Sequence, residues 1–88
     1  MKVLVLYRPN SEHGRIIEEF IRDFQSQNDV RSLEVLNVDS REGSAMASLY
    51  DVMSYPAILI LQTNGYLEKS WEGDSLPLLD EVVAYVRV

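Results

Sequence analysis

The chain has no cysteine. That absence excludes disulfides, thiol redox chemistry, thiolate metal sites and iron–sulfur ligation within it, and it fits a reducing compartment. Histidine is almost as scarce. His13 stands alone on a polar stretch, without companions at metal-ligand spacing, so no metal site is expected. Positive charge is also short: eight basic residues face fourteen acidic ones, for a net charge of −6. Such a surface repels a phosphate backbone, and nucleic acid is not expected as a partner. Long apolar runs are missing too. The run from Val3 to Tyr7 is too short for a signal sequence and stops at Arg8. No stretch approaches the ~20 apolar residues of a membrane span. A cytoplasmic protein with no membrane partner is the expectation.

What is present, in 88 residues, is one domain, residues 1–88, with a modest core. Val3-Leu4-Val5-Leu6-Tyr7 and Ala57-Ile58-Leu59-Ile60-Leu61 are continuous apolar runs. Both read as strands buried on two faces. Leu33 to Val38 and Tyr66 to Trp71 read as two further strands, the last preceded by the hairpin signal Asn64-Gly65. Ile16, Ile17, Phe20, Ile21 and Phe24 fall on one helical face. Asn10 or Ser11 is placed to cap that helix, and Gln27-Asn28-Asp29 to end it. A short middle helix carries Ala45, Met46, Ala47, Leu49 and Tyr50. A last helix is predicted to begin at Asp74 or Ser75, with Pro77 in its first turn and Leu78, Leu79, Val82, Val83 and Val86 as its buried stripe. The order is β-α-β-α-β-β-α. Two strands without a polar side require helices on both faces of the sheet.

Two motifs in that order carry a family resemblance. Leu6-Tyr7-Arg8-Pro9-Asn10-Ser11-Glu12-His13-Gly14 is similar to the stretch of thioredoxins and glutaredoxins in which a basic residue and a proline precede C-x-x-C at a helix start. Ser11 stands at the first cysteine position and Gly14 at the second. Tyr50 to Leu59, through Tyr55-Pro56, resembles the run that leads through a cis-proline into the third strand. Asp39, the Asn64-Gly65 turn and Gly73 fall at further matching points. The resemblance covers the whole chain. It implies the α/β thioredoxin-like fold: a mixed four-stranded sheet in order 2-1-3-4, with the first and last helices on one face and the middle helix on the other. It also raises the Tyr55–Pro56 bond from the ~5–6% cis frequency of ordinary X-Pro bonds to an expected cis bond.

Without cysteines the family's redox reaction cannot run. A serine hydroxyl at the helix start forms an alkoxide far less readily than a thiol forms a thiolate. It also has no facing base, because His13 is only two residues away. No catalytic residue is assigned, and an enzyme is not the expectation. Restoring cysteines at Ser11 and Gly14 is expected to give a reducible disulfide if the register is right. Gly14 itself is costly inside a helix; a close approach by backbone or ligand would explain it, and so would simple drift after a cysteine was lost. The resemblance implies a shallow groove of Pro9, Asn10, Ser11, His13, Gly14, Tyr55, Pro56, Gly73 and Asp74, taking an extended peptide or protein partner. Tyr55, expected to be exposed, would be its aromatic anchor. The alternative is a glutathione-binding, glutaredoxin- or transferase-like protein in which Ser11 hydrogen-bonds a thiol; otherwise no cofactor is expected. A third reading is a structural subunit. Monomer and homodimer both stay open.

Overall fold

The computed structural model describes residues 1–27, 32–74 and 76–86. Its elements are β1 (Lys2–Tyr7), α1 (Gly14–Gln27), β2 (Leu33–Asn37), α2 (Arg41–Leu49), β3 (Ala57–Leu61), β4 (Leu67–Glu72) and α3 (Leu79–Val86). The sheet order is β2-β1-β3-β4, with β1 and β2 parallel and the other two pairings antiparallel. This is the 2-1-3-4 sheet read from the sequence.

The two apolar runs form the central strands because only there can both faces be covered. Val3 to Tyr7 and all of β3 are buried. Alternation along the strands divides the core in two. Val3, Val5, Tyr7, Ile58 and Ile60 pack with Ile17, Phe24 and Val82 beneath α1 and α3. Leu4, Leu6, Ala57, Leu59 and Leu61 pack with Val38, Ala47 and Val52 on the α2 side. Each fully buried side chain of this kind contributes about 1.5–3 kcal/mol. The Asn64-Gly65 turn forms as read: Gly65 has φ +89°, and the Gln62 amide donates to the Tyr66 carbonyl at 2.8 Å.

Several local expectations are corrected. Ile16 is 53% exposed, because it sits one residue, about 100°, to the side of the stripe formed by Ile17, Phe20, Ile21 and Phe24. The last helix begins at Leu79, not at Asp74, and Pro77 lies ahead of it. Pro77 disfavours helical backbone at Leu76, so a helix begun earlier would be interrupted there. Leu78 takes the cap position instead. Its carbonyl accepts from the Glu81 and Val82 amides, and its own amide donates to the Glu81 carboxylate at 3.2 Å. Leu78 is therefore 72% exposed and not part of the buried stripe. The middle helix has a cap outside those expectations: the Ser40 hydroxyl accepts from the Gly43 amide at 3.0 Å. Asn28 and Asp29, proposed as the end of the first helix, and Ser75, proposed as a cap, lie outside the described residues.

Candidate functional site

Strand direction gathers the predicted residues at one end of the sheet. β1, β2 and β4 end there and β3 begins there: Tyr7 is level with Asn37, and Ala57 with Leu6 and Glu72. The loop Arg8 to His13 leaves β1 at that end, and the segment Met53 to Pro56 enters β3. The turn at Gly73 and Asp74 leaves β4.

Specific contacts tie the three segments together. The Gly73 amide donates to the Pro56 carbonyl at 2.9 Å. Gly73 has φ +66°, a backbone conformation that favours glycine, and it lies alongside Ser54. His13 Nε2 lies 3.6 Å from the Asp74 carboxylate. The Tyr55–Pro56 bond is cis. Pro9 meets Gly14 so closely that a Cβ on Gly14 would sit 2.3 Å from the Pro9 carbonyl oxygen. That contact accounts for a glycine in the first turn of a helix: nothing larger fits against the loop. Asn10 and Ser11 lie on the exposed outer side of the same loop.

Ser11 does not cap α1. Its hydroxyl donates to the Arg8 carbonyl at 2.6 Å, and its amide donates to the same oxygen at 3.1 Å. The loop instead makes two successive turns, the second closed by the Gly14 amide on the Ser11 carbonyl at 3.1 Å. His13 takes the capping position, its carbonyl accepting from the Ile17 amide at 3.1 Å. Asn10 is too far back to serve. Ser11→Ala should therefore change stability by under about 0.5 kcal/mol, as exposed substitutions do. Loss of a true cap costs ~1 kcal/mol. Urea denaturation separates the two, and a loss of ~1 kcal/mol or more would restore the cap.

The tight Pro9–Gly14 contact also overturns the expectation for restored cysteines. The Cβ that Gly14→Cys introduces cannot occupy its place without moving the loop or the helix. The C-x-x-C register survives as a correspondence in position and not as a ready disulfide frame.

Arg8, Asp39 and Glu72 belong to the site and were not assigned to it from sequence. Arg8 Nε and Nη2 donate to the two Asp39 carboxylate oxygens at 3.0 and 3.1 Å, a forked pair bridging the ends of β1 and β2. The guanidinium lies over the Tyr55 ring, 5.9 Å from its centre. The hydrogen bond and charge of Asp39 raise the Arg8 pKa above its usual value. Tyr55 is accordingly only part-buried: one face is occupied by Arg8, and the ring packs against the α2-side core. It is less open than an exposed anchor would be. Glu72 accepts from the Met53 amide at 2.7 Å and pins the segment before the cis-proline to β4. A weak signal for Arg8 and Asp39 existed in their matches to family positions. Nothing in the sequence spacing paired residues 31 apart. Behind the site, burial first and the charge of Glu18 second raise the pKa of the Tyr7 phenol.

Trp71 is part of the core edge and not of the site. It meets Tyr85 edge-on at 5.9 Å, and Lys69 lies over its ring. No helix among the described residues is long and apolar enough to cross a membrane.

No protein-family model and no curated protein matches the sequence. Solved structures do match. Thioredoxin 1 from the thermophilic eubacterium Thermosipho africanus is 17% identical and superposes with a TM-score of 0.71, over 99% of this chain and 91% of that one. A malarial protein is 15% identical with a TM-score of 0.69, over 97% and 91%. The structure of the first two thioredoxin domains of Saccharomyces cerevisiae Eps1p is 15% identical with a TM-score of 0.55, over 98% of this chain and 34% of that one. Identities this low speak for architecture alone: the chain has the thioredoxin-like fold, with no cysteine anywhere in it.

Proposed function

We propose that this chain is a redox-inactive, cytoplasmic binding module of thioredoxin-like fold that takes an extended peptide or protein segment beside the cis-proline. One observation carries the reading. Among the described residues, the Tyr55 amide and carbonyl have no hydrogen-bond partner, while their neighbours are tied down: the Met53 amide to Glu72 and the Pro56 carbonyl to Gly73. A segment anchored on either side of free backbone groups suits strand addition, which requires no thiol. The glutathione reading is the weaker one. It needs the Ser11 hydroxyl as a free donor, and that hydroxyl is already directed at the Arg8 carbonyl.

Peptides selected from an unbiased display library test the proposal. Binding should slow hydrogen exchange at the Tyr55 amide. Tyr55→Ala should weaken it by about thirtyfold or more, the loss typical of a buried aromatic anchor. Because Tyr55 also packs on the core, the variant's circular dichroism must match that of wild type. A peptide N-methylated opposite Tyr55 gives the same answer on the unmodified protein. Selected binders that protect another surface and leave Tyr55 unchanged would sink the proposal.

A further inference from the structure

The rim of the site is uneven in charge and in polarity. Glu72 and Asp74 flank the Gly73 that bonds Pro56, so two carboxylates border the free Tyr55 backbone on the β4 side. The Asp74 side chain is 92% exposed, and among the described residues its ion-pair contact is to His13 and not to lysine or arginine. Among the described residues, Glu72 is engaged as a hydrogen-bond acceptor for a neutral amide. The cation placed on the opposite rim, Arg8, is already matched by the forked contact to Asp39. Among the described residues, no lysine or arginine is set against these two carboxylates. Two residues before Tyr55, Met53 holds its side chain 84% exposed while its amide is fixed to Glu72. Its unbranched thioether is open to a partner's side chain. Such a surface accepts apolar side chains of varied shape.

We infer that the preferred partner is an extended, cationic segment: an apolar residue seated against Met53 and Tyr55, with lysine or arginine toward Glu72 and Asp74. This inference rests on the groove reading above and adds the partner's chemistry to it. The backbone groups of Tyr55 set the extended conformation. Met53 sets the apolar position, and the two carboxylates set the sign of the flanking charge. Charges at a rim act mainly on partner choice and association rate, and they are screened by salt.

The test uses synthetic peptides of one length with a leucine centre, flanked by lysines in one and by glutamates in the other. A third keeps the lysines and replaces leucine by serine. Binding is followed by titration calorimetry, with the Tyr55 amide as the site marker. At low salt the lysine peptide should bind about fivefold or more tightly than the glutamate peptide. Added salt should narrow the gap. Asp74→Asn combined with Glu72→Gln should close it, the glutamine retaining a carbonyl oxygen for the Met53 amide. Met53→Ser should weaken the leucine peptides and bring the lysine–leucine peptide down to the serine one. Equal binding of the lysine and glutamate peptides at Tyr55 would overturn the partner class and leave the groove intact. Equal binding of the leucine and serine peptides would remove the role of Met53. Failure of every peptide to perturb the Tyr55 amide would overturn the inference and the groove together.

Discussion

Gly43→Ala should destabilise the protein by about 1–3 kcal/mol or more, the usual range for forcing atoms into packed structure. A Cβ on Gly43 would lie 2.0 Å from the Asn37 carbonyl oxygen and 2.7 Å from its carbon. Ordinary carbon–oxygen contacts are about 3.3 Å or longer. The obstacle is backbone and not a flexible side chain, so α2 or the end of β2 must move. Movement there is costly because the Ser40 hydroxyl both donates to the Asn37 carbonyl and accepts from the Gly43 amide. Alanine's better helix propensity returns only ~1 kcal/mol. Gly14→Ala should behave alike, with its Cβ 2.3 Å from the Pro9 carbonyl oxygen. The two should differ in their reach. Gly14→Ala displaces the loop that carries His13 and should also impair binding at Tyr55. Gly43→Ala strains the junction of α2 with the end of β2, near Asp39, and should leave the His13 loop in place. Urea midpoints decide the matter, and a variant as stable as wild type would show that the close approach is not maintained in solution.

Phe24→Ala should cost about 3–5 kcal/mol, the range for deleting a buried aromatic ring. The ring is fully buried between α1 and the sheet and stacks on Phe20 at a centroid distance of 6.4 Å. It belongs to the cluster shared by α1, α3 and the central strands, so its loss loosens both helices at once. A chain of 88 residues has no disulfide and only a modest core. Its total stability belongs near the lower end of the ~5–15 kcal/mol common to domains. The variant should therefore populate unfolded chain at room temperature, visible as a shallow or absent urea baseline. A clean transition within ~1 kcal/mol of wild type would mean that the cluster repacks around the void, and that this layer is not the principal source of stability.

Much of this architecture was legible in the chain itself. The two unbroken apolar runs demanded central strands covered on both faces, because a strand without a polar side has nowhere else to go. The helical spacing of Ile17, Phe20, Ile21 and Phe24 defined α1, and Asn64-Gly65 defined the hairpin. Element order then left few sheet topologies open. The lack of cysteine settled that no thiol chemistry runs within this chain. Each of these follows from local pattern or composition.

Tertiary structure alone decided the rest, because it depends on contacts between residues distant in sequence. Ser11 looked like a cap by its position, but the loop turns back on Arg8, and His13 takes that place. Ile16 looked buried by its spacing, but the actual start and rotation of α1 leave it outside the stripe. Gly14 fitted a close approach and simple drift equally well, and Gly43 gave no signal at all. Only the packing of α1 on the Pro9 loop and of α2 on Asn37 supplied the neighbours. Arg8 and Asp39 are 31 residues apart and meet because parallel β1 and β2 end side by side. The same convergence places Gly73 beside Pro56, Glu72 beside Met53 and Asp74 beside His13. A single chain's pattern encodes which faces must be buried. Which loops then meet at the end of a sheet is set by strand order and register, and those emerge only when the whole chain packs.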